Sequence, residues 1–287
     1  MAEFWPDSLV AALARREFVL FVGSGVSHAS ENRAGTSPPT WNEMIHACSD
    51  ILPTNAAKNR VRKRLKGDVL DAAELLMYEA GRSGRRTDVL ERIAELVDGP
   101  TGDRFPANAW HDELMRLDPG IVLTTNYDKI LERMTDMGFA ILRPDDAGIA
   151  REIRLGNPVV IKFHGHVDDR QSMVLSHSDY AWIRADCVHA IEVVRSLLLT
   201  RICLFVGYSL SDPDIRLLLE NAGGGRLGEA AHYLLGPKPA SPHLEQLFRG
   251  TYGVQLLSYG ASHADGLERL KELGDLVEYA RVGAPII

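Results

Sequence analysis

The stretch FVLFVGSGVSHAS, Phe18 to Ser30, decides the fold. Five apolar residues run without a break into Gly-Ser-Gly. A run of strand length that is apolar throughout, rather than alternating, marks a strand buried on both faces of a parallel sheet. Glycines in the turn that follows let backbone N–H groups approach a phosphate, and a helix start beyond them adds partial positive charge. The dinucleotide fingerprint wants a third glycine where His28 stands, and no Lys-Ser/Thr follows to make a P-loop.

The same kind of run recurs along the chain. IVLTT (121–125), VVIKF (159–163), ICLFV (202–206), YLLG (233–236) and VQLLSY (254–259) are all of strand length. Helical patterns separate most of them. YDKILERMTDMG follows the second run and SDPDIRLLLENAG the fourth, with Asp212 as N-cap, Pro213 at the first helical position and Gly223 as the stop. HADGLERLKELGDLVEYA closes the series. Strand and helix in alternation predict an α/β, Rossmann-like doubly wound parallel sheet. Residues 40–117 break the rhythm with helical patterns alone, among them TWNEMIHACSDIL, where Thr40 and Glu43 have capping-box spacing. The reading is therefore a domain made of residues 1–39 and 118–287, with 40–117 as a helical insertion after the first strand.

Composition narrows the function classes. The chain has 287 residues, 45% hydrophobic and 25% charged, the balance of a globular protein with a sizeable core. A net charge of −7 argues against a broad grip on nucleic acid, which needs a basic face. The basic run KNRVRKRLK (58–66) reads first as a solvated helix face, with an acidic partner as the alternative. Cys48, Cys187 and Cys203 are scattered, so neither a zinc ribbon nor a disulfide framework is expected. Reduced thiols and an N-terminus without a secretory pattern suggest a cytoplasmic protein. No apolar run approaches the ~18 residues of a membrane span.

In open parallel sheets, ligands bind beyond the carboxyl ends of the strands. Four polar clusters stand there: Gly23-Ser24-Gly25-Val26-Ser27-His28, Thr124-Thr125-Asn126-Tyr127-Asp128, His164-Gly165-His166-Val167-Asp168-Asp169 and Gly207-Tyr208-Ser209-Leu210-Ser211-Asp212. Two local alternatives go with them. His164, His166 and Asp168 or Asp169 have ligand types suited to a metal, and GYSLS resembles a nucleophile elbow that would pair Ser209 with His263. No further His or Cys cluster completes the first, and the second leaves the other three clusters unexplained.

Taken together and in order, these motifs resemble the sirtuin superfamily. GSGVS (23–27) is similar to its Gly-Ala-Gly-x-Ser loop, TTNYD (124–128) to its Thr-x-Asn-x-Asp motif, FHG (163–165) to its His-Gly motif and GYSLSDPDIR (207–216) to its Gly-x-Ser-Leu element. Three scattered cysteines cannot build the zinc module of the protein-deacylating members. GTSPPTW (35–41) also lacks their Asp-Phe-Arg stretch. The pattern is closest to the prokaryotic branch that lacks the zinc module and carries a helical insertion. That resemblance implies NAD⁺ hydrolysis in anti-phage defence. NAD would be the substrate, with no metal.

On this resemblance Asn126 orients ribose or water, Asp128 supports the nicotinamide side, and His164 is the general base. Gly23, Ser24, Gly25, Ser27, Thr124, Gly207 and Ser209 would bind the nucleotide. Asn126 as a helix cap and Asp128 as an ordinary first-turn acid are the structural alternatives. An uncontrolled NAD⁺ hydrolase would kill its own cell, and no separate sensor stretch is evident. Control by assembly is therefore expected, as a homo-oligomer or with a HerA-type ATPase or short Argonaute-type partner. A deacylase or ADP-ribosyltransferase and a non-catalytic NAD or ADP-ribose sensor are the rival functions. No role follows for His28.

Overall fold

A computed structural model describes residues 4–134, 138–222, 231–239, 241–260 and 262–283. Among these residues, seven strands form one sheet: β1 (Phe18–Val22), β2 (Ile121–Thr124), β3 (Ala140–Leu142), β4 (Val159–Lys162), β5 (Ile202–Val206), β6 (His232–Pro237) and β7 (Val254–Tyr259). Their order is β3-β4-β2-β1-β5-β6-β7 and every pairing is parallel. Six strands lie where the apolar runs predict. β3 is the addition, a three-residue edge strand whose residues are all half-buried. A strand that short, on an edge, leaves no continuous apolar run to detect.

The quoted stretch occupies the centre. All five residues of β1 are at most 1% exposed. Val19 and Phe21 point into one core layer, with Leu123, Ile161 and Phe205. Phe18, Leu20 and Val22 point into the opposite layer, with Val122, Val160, Leu204 and Val206. Helices cover both faces. The first layer is sealed by residues such as Tyr180, Val194 and Leu219, the second by Leu9, Leu114, Leu270 and Leu273. Burial on two faces is the reason these strands are apolar throughout.

A third core belongs to the helices that follow β1. Met44, Ile45, Val61, Leu76 and Ile93 pack together, and Val167, Met173 and Leu175 from the segment after β4 join them. The helical segment is thereby docked over the carboxyl edge of the sheet. Helix Trp41–Ser49 begins with the expected capping box between Thr40 and Glu43. The basic run forms helix Asn55–Leu65, and its guanidinium groups are largely paired: Arg60 with Glu79 at 2.6 Å, Arg62 with Asp50 at 2.6 Å and Arg64 with Asp71 at 3.5 Å. Helix Ala109–Arg116 packs instead in the second layer, through Trp110 and Leu114. Asp212 caps helix Pro213–Asn221 as expected, while the expected stop at Gly223 lies outside the described residues. No helix among the described residues is long and apolar enough to cross a membrane.

Candidate active site

Register brings the four polar clusters together. Val22 is paired with Thr124 and with Val206, and Thr124 with Lys162. The last residues of four neighbouring strands thus form one row, and the loops leaving that row share one edge. The chain runs from β1 to one side of the sheet and later crosses to β5 on the other. That reversal opens a crevice where α/β sheets bind ligands.

A cleft of about 320 Å³ occupies this place. Ser24, Gly25, Ser27, Asn126, Asp128, His164, Gly207 and Ser209 all line it. Gly23 and Thr124 do not. Gly23 lies beneath the loop with its N–H donated to Val206 O at 2.9 Å. Thr124 is fully buried, donates its hydroxyl to Val22 O at 2.7 Å and accepts Asn126 N at 3.0 Å. It shapes the turn that presents Asn126, and its neighbour Thr125 reaches the cleft instead.

The glycines act mainly between chains of the loop. Gly25 N donates to Gly207 O at 2.9 Å. A Cβ on Gly23 would sit 2.3 Å from Gly207 O, and one on Gly207, whose φ is +65°, would sit 2.5 Å from Val26 N. The loops after β1 and β5 therefore interlock backbone against backbone. Among the polar groups this leaves toward the cleft are the hydroxyls of Ser24 and Ser209, both exposed, and Ser209 Oγ pairs with Ser211 Oγ at 2.7 Å.

The buried floor is a hydrogen-bonded chain. Asn126 Nδ2 donates to Ser27 Oγ at 3.1 Å, and Ser27 Oγ donates to Asp128 Oδ2 at 2.9 Å. Asp128 Oδ1 accepts Ile130 N at 3.0 Å, so Asp128, not Asn126, caps the helix after β2. Buried Lys162 donates to Asp128 O and pairs with Glu132 at 3.0 Å, holding the same turn from below. Asn126, Asp128 and Ser27 are 8%, 5% and 2% exposed. His164 is 3% exposed, and burial lowers its pKa below the ordinary imidazole range, against the pull of Asp212 and Asp214. It is therefore a neutral ring at neutral pH, able to accept a proton.

The helical segment supplies the facing wall through Pro38, Pro39, Trp41, Met44 and Val97. Trp41 Nε1 is buried there without a protein partner. An unpaired indole N–H in a cleft suits a ligand acceptor. His28 Nδ1 meets Pro38 O at 2.6 Å, which ties this wall to the loop after β1 and gives His28 a structural place. Aromatic residues on helices are ordinarily core, and so Trp41 carries no distinguishing signal in the sequence; docking of its helix puts it in the cleft. A neighbouring cavity of about 250 Å³ shares Gly25, Gly207 and Ser209 and is bounded beyond them by Trp110, Tyr259 and His263.

The two local alternatives are not assembled. Among the described residues no group of three His, Cys, Asp or Glu is placed to hold a metal ion. His166 Nδ1 accepts the backbone N–H of Asp168 at 3.2 Å. Ser209 pairs with Ser211, and His263 Nδ1 meets Tyr259 Oη at 3.3 Å, so Ser209 and His263 form no nucleophile–base pair.

An all-parallel sheet with this crevice defines a Rossmann-type fold, and its solved counterparts are Sir2 homologues. The structure superposes on a Sir2 homologue mutant bound to ADP-ribose with a TM-score of 0.52 at 12% identity, covering 98% of this chain and 100% of that one. A Sir2 homologue–NAD complex matches with a TM-score of 0.51 at 13% identity, covering 96% and 95%. Residues 120–257 match the family model of the SIR2-like domain. Its curated relatives are distant. NAD(+) hydrolase ThsA of Cytobacillus dafuensis is 24% identical over 220 residues, 72% of this chain and 38% of the relative. ThsA of Enterococcus faecium is 24% identical over 215 residues, covering 73% and 41%. Defense-associated sirtuin 2 of Bacillus subtilis is 26% identical over 210 residues, covering 71% and 19%. The chain thus spans well under half the length of these relatives.

Proposed function

We propose that this protein is an NAD⁺ glycohydrolase, releasing nicotinamide and ADP-ribose. The observation that carries the reading is the buried Asn126–Ser27–Asp128 chain in the same cleft as a neutral His164. The NAD⁺ hydrolase names of the ThsA relatives support it.

The reaction breaks the bond between the nicotinamide nitrogen and C1′ of ribose, and water forms the new bond to C1′. The leaving group is already cationic and departs with the bonding electron pair, so no strong acid is required. The developing oxocarbenium charge and the incoming water are what the protein must manage. Asn126 spends one amide hydrogen on Ser27 and keeps its carbonyl oxygen and second hydrogen for a ribose hydroxyl or the water. Asp128, pinned by Ser27 and Ile130 N, brings negative charge to the side where positive charge develops. His164 takes the proton from water or a ribose hydroxyl. Burial of all three keeps bulk water from competing. Ser24, Gly25, Gly207 and Ser209 would face the phosphates and the second ribose, with the neighbouring cavity beyond them.

In the cell this activity would deplete NAD⁺ during infection, in a cytoplasmic anti-phage role; the name of one relative, Defense-associated sirtuin 2, supports a defence setting. Restraint would come from assembly, as a homo-oligomer or with a HerA-type ATPase or a short Argonaute-type protein. The test is nicotinamide release from NAD⁺, alone and with neighbouring gene products, for wild type, Asn126→Ala and His164→Ala. Wild-type turnover reduced by on the order of 100-fold or more in both variants is expected. Turnover surviving both overturns the site; binding without turnover under every activating condition favours a sensor.

A further inference from the structure

Beside His164, at the end of the loop after β5, lies a second cluster, and its Asp212 also lines the cleft. His164 Nε2 is 3.3 Å from Asp212 Oδ2, in ion-pair range but outside hydrogen-bond alignment, and Nε2 is shut off from solvent with no other partner. Asp212 Oδ2 also accepts Tyr180 Oη at 2.6 Å. Its other oxygen accepts Asp214 N at 3.0 Å and Ile215 N at 2.9 Å. The Tyr180 ring stands edge-on to the imidazole, with centroids 5.3 Å apart and planes at 84°. Asp212 and Tyr180 are 7% and 2% exposed. Three donors thus fix one carboxylate against one ring nitrogen that is itself shut off from solvent.

We infer that Asp212 is the positioning residue of His164, and that Tyr180 is the strut that aims it. The inference rests on the NAD⁺ hydrolase reading for its chemistry. Asp212 selects the tautomer with hydrogen on Nε2, which leaves Nδ1 as the nitrogen that accepts the proton. When Nδ1 takes a proton from water or a ribose hydroxyl, the imidazolium charge appears beside a carboxylate already in place. Apo enzymes often hold such bonds loosely and tighten them only with substrate, which accounts for the 3.3 Å approach. The cap and the positioning role use different oxygens of the same side chain, so neither competes with the other.

Asp212→Asn separates them. Asparagine caps helices as well as aspartate does, so folding is retained. It loses the charge and presents an amide that cannot serve both Tyr180 and Nε2–H. The titratable and charged groups facing the cluster are Asp214, paired with Arg184 at 2.5 Å, and the phenols of Tyr127 and Tyr208. Asp212 raises the His164 pKa, so its neutralisation lets that value fall further. Asp212→Asn should therefore lower kcat on the order of 10- to 100-fold with KM for NAD⁺ nearly unchanged, and move the low-pH limb of kcat to lower pH. Tyr180→Phe should lower kcat several-fold in the same direction.

The deciding measurement is ¹⁵N NMR of the His164 ring in the unliganded protein, wild type and both variants, from pH 4 to 8. The expected result is an Nε2–H ring in wild type and a lower titration midpoint in Asp212→Asn. An Nδ1–H ring in wild type, or unchanged kcat and midpoint in a folded Asp212→Asn, reduces Asp212 to a helix cap and overturns the inference. If Asp212→Asn does not fold, the wild-type tautomer and Tyr180→Phe decide. If wild type releases no nicotinamide under any condition, the hydrolase reading fails while the ring nitrogens still judge the pair.

Discussion

At the scale of single residues, Ser27 has the most to lose. It is 2% exposed and is at once the acceptor for Asn126 and the donor to Asp128. Ser27→Ala leaves an amide hydrogen and a carboxylate oxygen without that partner in a dry site, at about 1–3 kcal/mol. We expect a modest fall in melting temperature and a loss of more than about 10-fold in nicotinamide release, because the proposed reading has the two groups it holds meet substrate. Equal activity in Ser27→Ala would mean that the chain of bonds is scaffolding alone. The sequence shows Asn126, Asp128 and His164 as chemistry-bearing residues because their types and loop positions are unusual. Asp212 carries a simple capping signal, and a side chain with one evident duty hides a second.

The interlock of the loops after β1 and β5 belongs to the scale of elements. Gly207 has φ of +65° and no room for a Cβ against Val26 N, so Gly207→Ala pays both for a left-handed backbone and for a clash. The expected cost is about 3 kcal/mol or more, read as a lower midpoint in urea with an unchanged slope. Nucleotide binding should weaken with it, since the same backbone lines the cleft. Local signals serve well at this scale. The Thr40–Glu43 box and the Asp212–Pro213 helix start are contacts within a few residues and can be read directly. The strand β3 is not legible, since three half-buried residues have no period of their own and exist as a strand only because β4 offers an edge.

For the whole molecule, the helical segment and the sheet are joined through the segment that follows β4, where Val167, Met173 and Leu175 enter the helical core. The loop that begins with His164 is thus held from both sides. The protein also has a built-in acid sensitivity. Burial drives the pKa of His232 down to about 4, and that of His111 to about 4 despite the nearby Asp128. An unfolded chain binds protons on these rings near pH 6.5 whereas the folded one does not, so stability is complete above that pH and declines as pH falls toward 4. His232 alone contributes about 3 kcal/mol of this loss. Urea midpoints should therefore drop steadily between pH 7 and 4, with a smaller drop in His232→Gln; a flat profile would show that these rings are solvated.

The sequence by itself determined the path of the chain: which runs are strands, that they lie parallel, and that four polar loops leave one edge. Those properties are set by apolar patterning and turn chemistry, which act between residues close in sequence. Tertiary structure decided which atoms of those loops meet. Ser27 and Asp128 are 101 residues apart, and Tyr180 reaches Asp212 across 32. Their meeting depends on register and on the docking of whole helices, and no local pattern encodes either. The same packing turned Gly25 and Gly207 toward each other, sank Thr124 beneath the cleft and raised Trp41 into its wall. FVLFVGSGVSHAS therefore announces a nucleotide-type loop, and only the folded molecule shows that Ser27 links Asn126 to Asp128 and that His28 ties the loop to the facing wall.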